Sequence, residues 1–182
     1  IFLDKIKIDN EKLKSYSYKL QYKSKGRTIS NSGGWQSDDI LNDEETLEIR
    51  KYVIEQSNIF KDMFGLKTEV NIKPHNWWIN INKQDDYNIE HRHTNTIMSA
   101  VYYVKAEKNC GEITFHNDNP LIAYHFCNEI IEDFNPVNSV KWFLKPEEKT
   151  LIIFPPWLSH SVGPNKSGED RISIAFNFKM VP

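Results

Sequence analysis

The chain has little of several things that would narrow its class at once. Two cysteines, Cys110 and Cys127, form neither a disulfide framework nor a CxxC redox pair, so a reducing, cytoplasmic setting is expected. Seven glycines in 182 residues exclude collagen-like and low-complexity architectures. No apolar run approaches the roughly 20 residues of a membrane span. The opening Ile1-Phe2-Leu3-Asp4-Lys5 is charged too early for a signal peptide. No charge of one sign dominates: 23 basic against 25 acidic residues give a formal charge of -2, and the two signs are interspersed. That leaves no electrostatic footprint for nucleic acid or an anionic membrane.

What is present is aromatic: 10 Phe, 8 Tyr and 5 Trp, a supply that suits a sheet core. The length fits one domain, 1–182, with a helical front over 1–69 and a strand-rich back over 70–182. Leu13, Tyr16 and Leu20 predict an amphipathic helix over 9–22. A second helix is predicted over 42–64, opened by a capping box between Asn42 and Glu45 and stopped at Gly65, with Leu47, Ile54 and Phe60 among its apolar positions. Short β segments follow at 76–82, 96–105, 112–116, 141–144, 151–154, 161–162 and 171–179. Many short strands behind two helices point to a mainly β sandwich or barrel with flanking helices. Residues 120–139 have mixed character, either a helical excursion or a long loop.

Six histidines stand at 75, 91, 93, 116, 125 and 160. His91 and His93 form an H-x-H pair beside a predicted strand, where residues two apart project to one side and can reach one metal. His160 comes far downstream after the turn-like Pro155-Pro156. A close pair plus a distant histidine suits a metal site shared between neighbouring strands. Further on, alternation puts Arg171, Ser173, Ala175 and Asn177 on one face and Ile172, Ile174, Phe176 and Phe178 on the other. Either face could be the inner one. A guanidinium with a hydroxyl two residues on is suited to a carboxylate.

The order H-x-H, His, R-x-S resembles the 2-oxoglutarate–Fe(II) oxygenase superfamily. Local strings resemble the subgroup found in bacteria and often carried by phages: NSGGWQS at 31–37, YNIEHRHTNT at 87–96, SAVYYV at 99–104, FPPWLSHSVGPN at 154–165 and RISIAFN at 171–177. The last two strings are the specific ones. The resemblance implies a double-stranded β-helix (jelly-roll, cupin-like) barrel, Fe(II) as metal, 2-oxoglutarate (2OG) as co-substrate, O2 as oxidant and ascorbate as a supporting reductant. It implies His160 as the distal metal ligand and Arg171, assisted by Ser173, as the anchor of the 2OG C5 carboxylate. It implies a hydroxylase of an unidentified small molecule, peptide or protein side chain.

The usual proximal motif of that superfamily is His-x-Asp or His-x-Glu, whereas this chain has His91-Arg92-His93. Three solutions are open: a three-His site with His91, His93 and His160; a carboxylate from Asp118; or a His93-x-Asn95 motif. The first is preferred because imidazole is a normal iron ligand and the Asn amide a poor one. Residues 33–37 and 120–139 are candidate walls or lids. Trp35, Trp77 and Tyr103 could shape the pocket, although a core role is expected for each. Residues 111–115 read as a structural strand, and His75, His116 and His125 as non-ligands, His116 being the least secure. The alternative function is a cupin-like three-His dioxygenase or metal-binding module without 2OG, against which the R-x-S argues.

Overall fold

The computed structural model describes residues 1–126 and 129–181; Cys127 lies outside them, and Cys110 is buried and unpaired. Strands β1 (Phe2–Lys5), β3 (Trp35–Gln36), β4 (Asn71–Asn82), β6 (Met98–Lys105), β9 (Thr150–Phe154) and β11 (Arg171–Val181) form a six-stranded sheet, in the order β1-β9-β6-β11-β4-β3. Strands β2 (Asn31–Ser32), β5 (Tyr87–His91), β7 (Ile113–His116), β8 (Lys141–Leu144) and β10 (His160–Val162) form a five-stranded sheet, in the order β2-β5-β10-β7-β8. Every pairing is antiparallel. Among the described residues no ladder joins the two sheets, so the expected jelly roll is an open sandwich and not a closed barrel.

The alternation of β11 explains the layering. Ile172, Ile174, Phe176 and Phe178 are each 0% exposed and pack with the buried faces of two helices, α1 (Asn10–Lys23) and α2 (Leu47–Met63). Burial of each such side chain stabilises by on the order of 2 kcal/mol. The opposite face of the sheet turns toward the five-stranded sheet, where Tyr103, Ile152 and Phe154 meet Ile113 and Phe115. Both faces of β11 are therefore buried, one apolar against helices and one polar against the second sheet.

Helix α1 starts as predicted, with the Asp9 carboxylate accepting from Glu11 N at 3.0 Å. Helix α2 does not. A 3-10 turn (Glu44–Thr46) precedes it, and neither cap makes a side-chain hydrogen bond. The capping box is displaced by other partners: Asp43 accepts from the Tyr16 hydroxyl, and Thr46 Oγ1 donates to Asp43 O at 2.8 Å. Leu47 and Ile54 are exposed, while Ile49, Val53, Ser57 and Phe60 form the buried stripe, so the predicted face was rotated. The helix ends at Gly65 (φ 59°), as expected of a left-handed stop. Strands β1, β2, β3 and β5 were not predicted. The first three are short edge pieces paired only on one side, where periodicity is weakest.

Candidate metal and co-substrate site

Between the sheets, the ladder itself brings two distant histidines together. His91 ends β5, His160 begins β10, and the two are register partners, with ring centroids 4.3 Å apart. His93 lies two residues beyond β5. Its backbone N–H donates to Pro156 O at 3.0 Å, tying this loop to the turn that leads into His160. The His93 ring is 5.3 Å from that of His91 and 5.0 Å from that of His160. One nitrogen from each ring lies within 4.8 Å of the others.

Each ring has its Nδ1 committed to an oxygen. His91 Nδ1 is 2.8 Å from Ile89 O, His160 Nδ1 is 2.9 Å from Leu158 O, and His93 Nδ1 is 2.6 Å from Asn177 Oδ1. Carbonyl oxygens only accept, so Nδ1 carries the proton in all three and Nε2 keeps its lone pair. Ser99 Oγ donates to the same Asn177 Oδ1 at 2.9 Å, and Asn177 Nδ2 donates to Asn76 Oδ1 at 3.2 Å. The amide is thereby fixed with its oxygen toward the ring. Burial holds the His93 imidazole down at about 4 and that of His160 at about 3, and lowers His91 as well. All three are neutral at physiological pH, the form a metal requires. His93 Nε2 is buried with no partner. Three converging imidazole lone pairs, one of them orphaned, fit a divalent cation such as Fe(II).

The same cavity is lined by Arg171, Ser173, Tyr103 and Trp78. Arg171 is 1% exposed. Its Nη1 donates to the carbonyls of Cys110, Gly111 (3.4 Å) and Gly163 (3.2 Å), while Nη2 is buried without a partner. Among the described residues no carboxylate bonds to it. Gly111 makes this cradle feasible: its φ is 92°, and a Cβ there would lie 2.1 Å from Gly163 O and 2.6 Å from Arg171 Nη1. A buried guanidinium held by carbonyls, with one edge unsatisfied, fits an incoming carboxylate.

Other expectations resolve by placement. Asp118 stands outside the cluster, its carboxylate 2.6 Å from Arg92 Nη2 on the surface. Asn95 is exposed with φ 55° and lines an adjoining groove. His116 bonds to Ser161 Oγ at 2.9 Å; His75 is exposed, and His125 closes a short helix, α3 (Pro120–His125). The described parts of 120–139, namely 120–126 and 129–139, combine a helix with a loop. Pro136 and Ser139 line a pocket with His116 and Trp142, and none of the described residues of the segment lines the cavity of the triad, while 127 and 128 lie outside the described residues. In the 33–37 segment Gln36 does wall the adjoining groove. Trp35, Trp77 and Tyr103 all belong to the core as expected, and Tyr103 also lines the cavity. Residues 111–115 carry β7 as expected, but the carbonyl of Gly111 also holds Arg171. Asn177, Ser99 and Trp78 were missed. Asn177 already lay on the Arg171 face of the strand pattern, which was its available signal.

The family model described as "Putative 2OG-Fe(II) oxygenase" matches residues 76–177, more than half of the chain and all of this site. The chain belongs to the 2OG-Fe(II) oxygenase family. No curated protein matches its sequence. Among solved structures, this oxygenase is similar to an oxidoreductase of the 2OG-Fe(II) oxygenase family from Burkholderia pseudomallei, at 16% identity and TM-score 0.55 over 76% of this chain; it spans 59% of that protein's length. The 2OG complex of a viral collagen prolyl hydroxylase from Paramecium bursaria Chlorella virus-1 aligns at 16% identity and TM-score 0.62, covering 100% of this chain and 97% of that one. A prolyl-4-hydroxylase from Pseudomonas putida aligns at 12% identity and TM-score 0.64, covering 98% and 91%. At such identities the likeness is one of fold, and the oxygenase shares their jelly roll. Among the described residues no helix is long and apolar enough to cross a membrane.

Proposed function

We propose that this oxygenase hydroxylates a C–H bond of its substrate, with iron held by His91, His93 and His160 and 2OG anchored by Arg171 and Ser173. The observation that carries the reading is one cavity containing two unsatisfied buried groups of matching chemistry, His93 Nε2 and Arg171 Nη2. Bound iron would supply the redox chemistry, in which 2OG and O2 yield succinate and CO2 while one oxygen atom enters the substrate C–H bond, with ascorbate in support.

The chain's own residues supply orientation. Ile89 O, Leu158 O and Asn177 Oδ1 hold the three rings with Nε2 inward, so little reorganisation accompanies metal binding. Arg171 takes the distal carboxylate of 2OG through the edge its carbonyl cradle leaves free, and Ser173, on the same face of β11, offers a hydroxyl. Phe154 and Phe115 form an apolar wall beside His160, which limits water at the reacting centre. A three-His dioxygenase without 2OG leaves the cradled, unpaired Arg171 unexplained.

The test is succinate formation from 2OG by the protein supplied with Fe(II), ascorbate and O2. Slow succinate release without added substrate is expected, abolished by His160→Ala. No succinate together with no 2OG binding would overturn the reading.

A further inference from the structure

A groove of about 340 Å³ adjoins the metal cavity and shares Ser30, Trp78, His91 and His93 with it. That volume lies at the low end of small-molecule sites, about 300–1,000 Å³, and suits one residue of a chain or a compound of that size. Among the described residues its lining includes Arg27 and Arg92 but no aspartate or glutamate, in a chain where acids outnumber bases. A cationic ligand would find no counter-charge there. Arg92 is paired with Asp118 at 2.6 Å and Arg27 more loosely with Asp38 at 3.6 Å, so of the two arginines among the described lining residues Arg27 is the more available to a ligand.

Arg27 and Gln36 face each other across a β-bridge, with Arg27 N donating to Gln36 O at 2.8 Å. Directly opposed residues project to one side, and both residues line the groove. Gln36 is 1% exposed; its Nε2 donates to Asn80 Oδ1 at 3.3 Å, but its Oε1 is buried with no partner. Whichever way that amide is turned, one end is unsatisfied, and a buried polar group in that state is costly until a ligand pairs with it. Arg27 commits Nε to Ser37 O at 2.9 Å, one of five N–H donors on a guanidinium. Asp38, at 3.6 Å, has a side chain 79% exposed to solvent, so that ion pair is weak.

The wall is also fixed. Asn31 Nδ2 donates to Arg27 O (3.3 Å) and Gly33 O (3.1 Å), and Trp35 Nε1 donates to Ser24 O at 2.9 Å. A guanidinium beside an amide acceptor, on a rigid wall, matches a carboxylate beside an N–H donor. With no acid in the lining, a neutral amide N–H fits better than an ammonium group.

We propose that this groove is the substrate site and takes an acylated amino acid, its carboxylate on Arg27 and its amide N–H on Gln36 Oε1; this rests on the oxygenase reading above. The source is either a small N-acyl amino acid or the C terminus of a peptide.

The test is calorimetric titration of the Co(II)- and 2OG-loaded protein, and of the metal-free protein, with N-acetyl derivatives of the twenty amino acids. Their C-terminal amides, the free amino acids and Gly-Gly-X tripeptides are run alongside. At least one N-acetyl acid should bind, and its amide should bind at least about tenfold more weakly, the size expected for a hydrogen bond to a charged group. Arg27→Met should erase the preference for acid over amide. Gln36→Glu, which keeps the side chain's shape but sets a charge beside Arg27, should erase it too. Tripeptides binding more tightly than N-acetyl acids would identify a peptide end, and equal binding a small molecule. The proposal fails if no N-acetyl acid binds, if amides bind equally well, or if both variants keep the preference. Co(II) and 2OG binding are read in the same series. Their failure would overturn the oxygenase reading, while binding to the metal-free protein would still decide the groove.

Discussion

His93 Nδ1 lies 2.6 Å from Asn177 Oδ1, while Nε2 of the same ring faces the cavity without a partner. The pairing makes Asn177, on a central strand, the residue that sets the tautomer and angle of the histidine standing where relatives of the superfamily carry an acid. Asn177→Leu should therefore lower Co(II) affinity about 10–100-fold while leaving the fold intact. Nitrogen-15 NMR of the metal-free protein should show His93 protonated at Nδ1, with a mixture of tautomers in the variant. An unchanged tautomer and unchanged affinity would remove Asn177 from this role.

Alanine at His93 or His160 takes away one of the three proposed imidazole ligands, and among the described residues no other His, Cys or carboxylate joins the cluster, Asp118 being engaged with Arg92. Each variant should bind Co(II) at least about 100-fold more weakly in a competition titration. Retention of parental affinity in His93→Ala would leave a two-histidine site.

Arg171→Lys keeps a charge but loses the planar fork, so 2OG affinity should fall at least about tenfold with metal affinity nearly unchanged. Gly111→Ala should act on the same quantity from outside the cavity. The added Cβ meets Gly163 O and Arg171 Nη1, and it displaces the cradle without touching a ligand. A Gly111→Ala protein with parental 2OG affinity would count against the cradle.

The pH dependence has a definite sign. His93 is held at about 4 and His160 at about 3 by burial, and His91 is also lowered, against an ordinary value of about 6.5. Below about 6.5 the unfolded chain takes up protons that the folded metal-free protein does not. Stability contributed by these histidines is therefore complete above about 6.5 and is lost as pH falls toward 4, by up to about 1.4 kcal/mol per pH unit for each histidine. Urea unfolding of the metal-free protein between pH 7.5 and 4.5 measures it. A midpoint that stays flat over that interval would contradict neutral burial of the triad.

Much of this site was legible because strand alternation and histidine spacing are local signals. Spacing and alternation made His91, His93 and the Arg171–Asn177 face candidates, and the resemblance of the strings at 154–165 and 171–177 is what implied roles for His160, Arg171 and Ser173. What escaped was set by contacts distant in sequence. The Asn177 amide gains its meaning from Ser99, Asn76 and His93. The Cys110, Gly111 and Gly163 carbonyls gain theirs from Arg171, and no side-chain pattern announces a backbone acceptor. The start of α2 differs for a related reason: Asn42 and Glu45 have capping-box spacing, but a tertiary bond from the Tyr16 hydroxyl to Asp43 and a local one from Thr46 Oγ1 to Asp43 O compete successfully. Strand β1 was missed because its partner, β9, lies at the other end of the chain.

Strand β11 runs between β4 and β6 and carries Arg171, the proposed 2OG anchor, near one end and Asn177, the brace of a proposed histidine ligand, further along the same face. At about 3.3 Å per residue, the two functions are spaced by a ruler whose markings are peptide units. A single inserted or deleted residue between Arg171 and Asn177 would turn one of them to the helix side, so this stretch should refuse changes of length in any descendant of the gene. The described parts of the 120–139 excursion, 120–126 and 129–139, do not line the cavity of the triad and Arg171, and there such a lineage can lengthen, shorten or acquire new segments without disturbing the distance between co-substrate and metal.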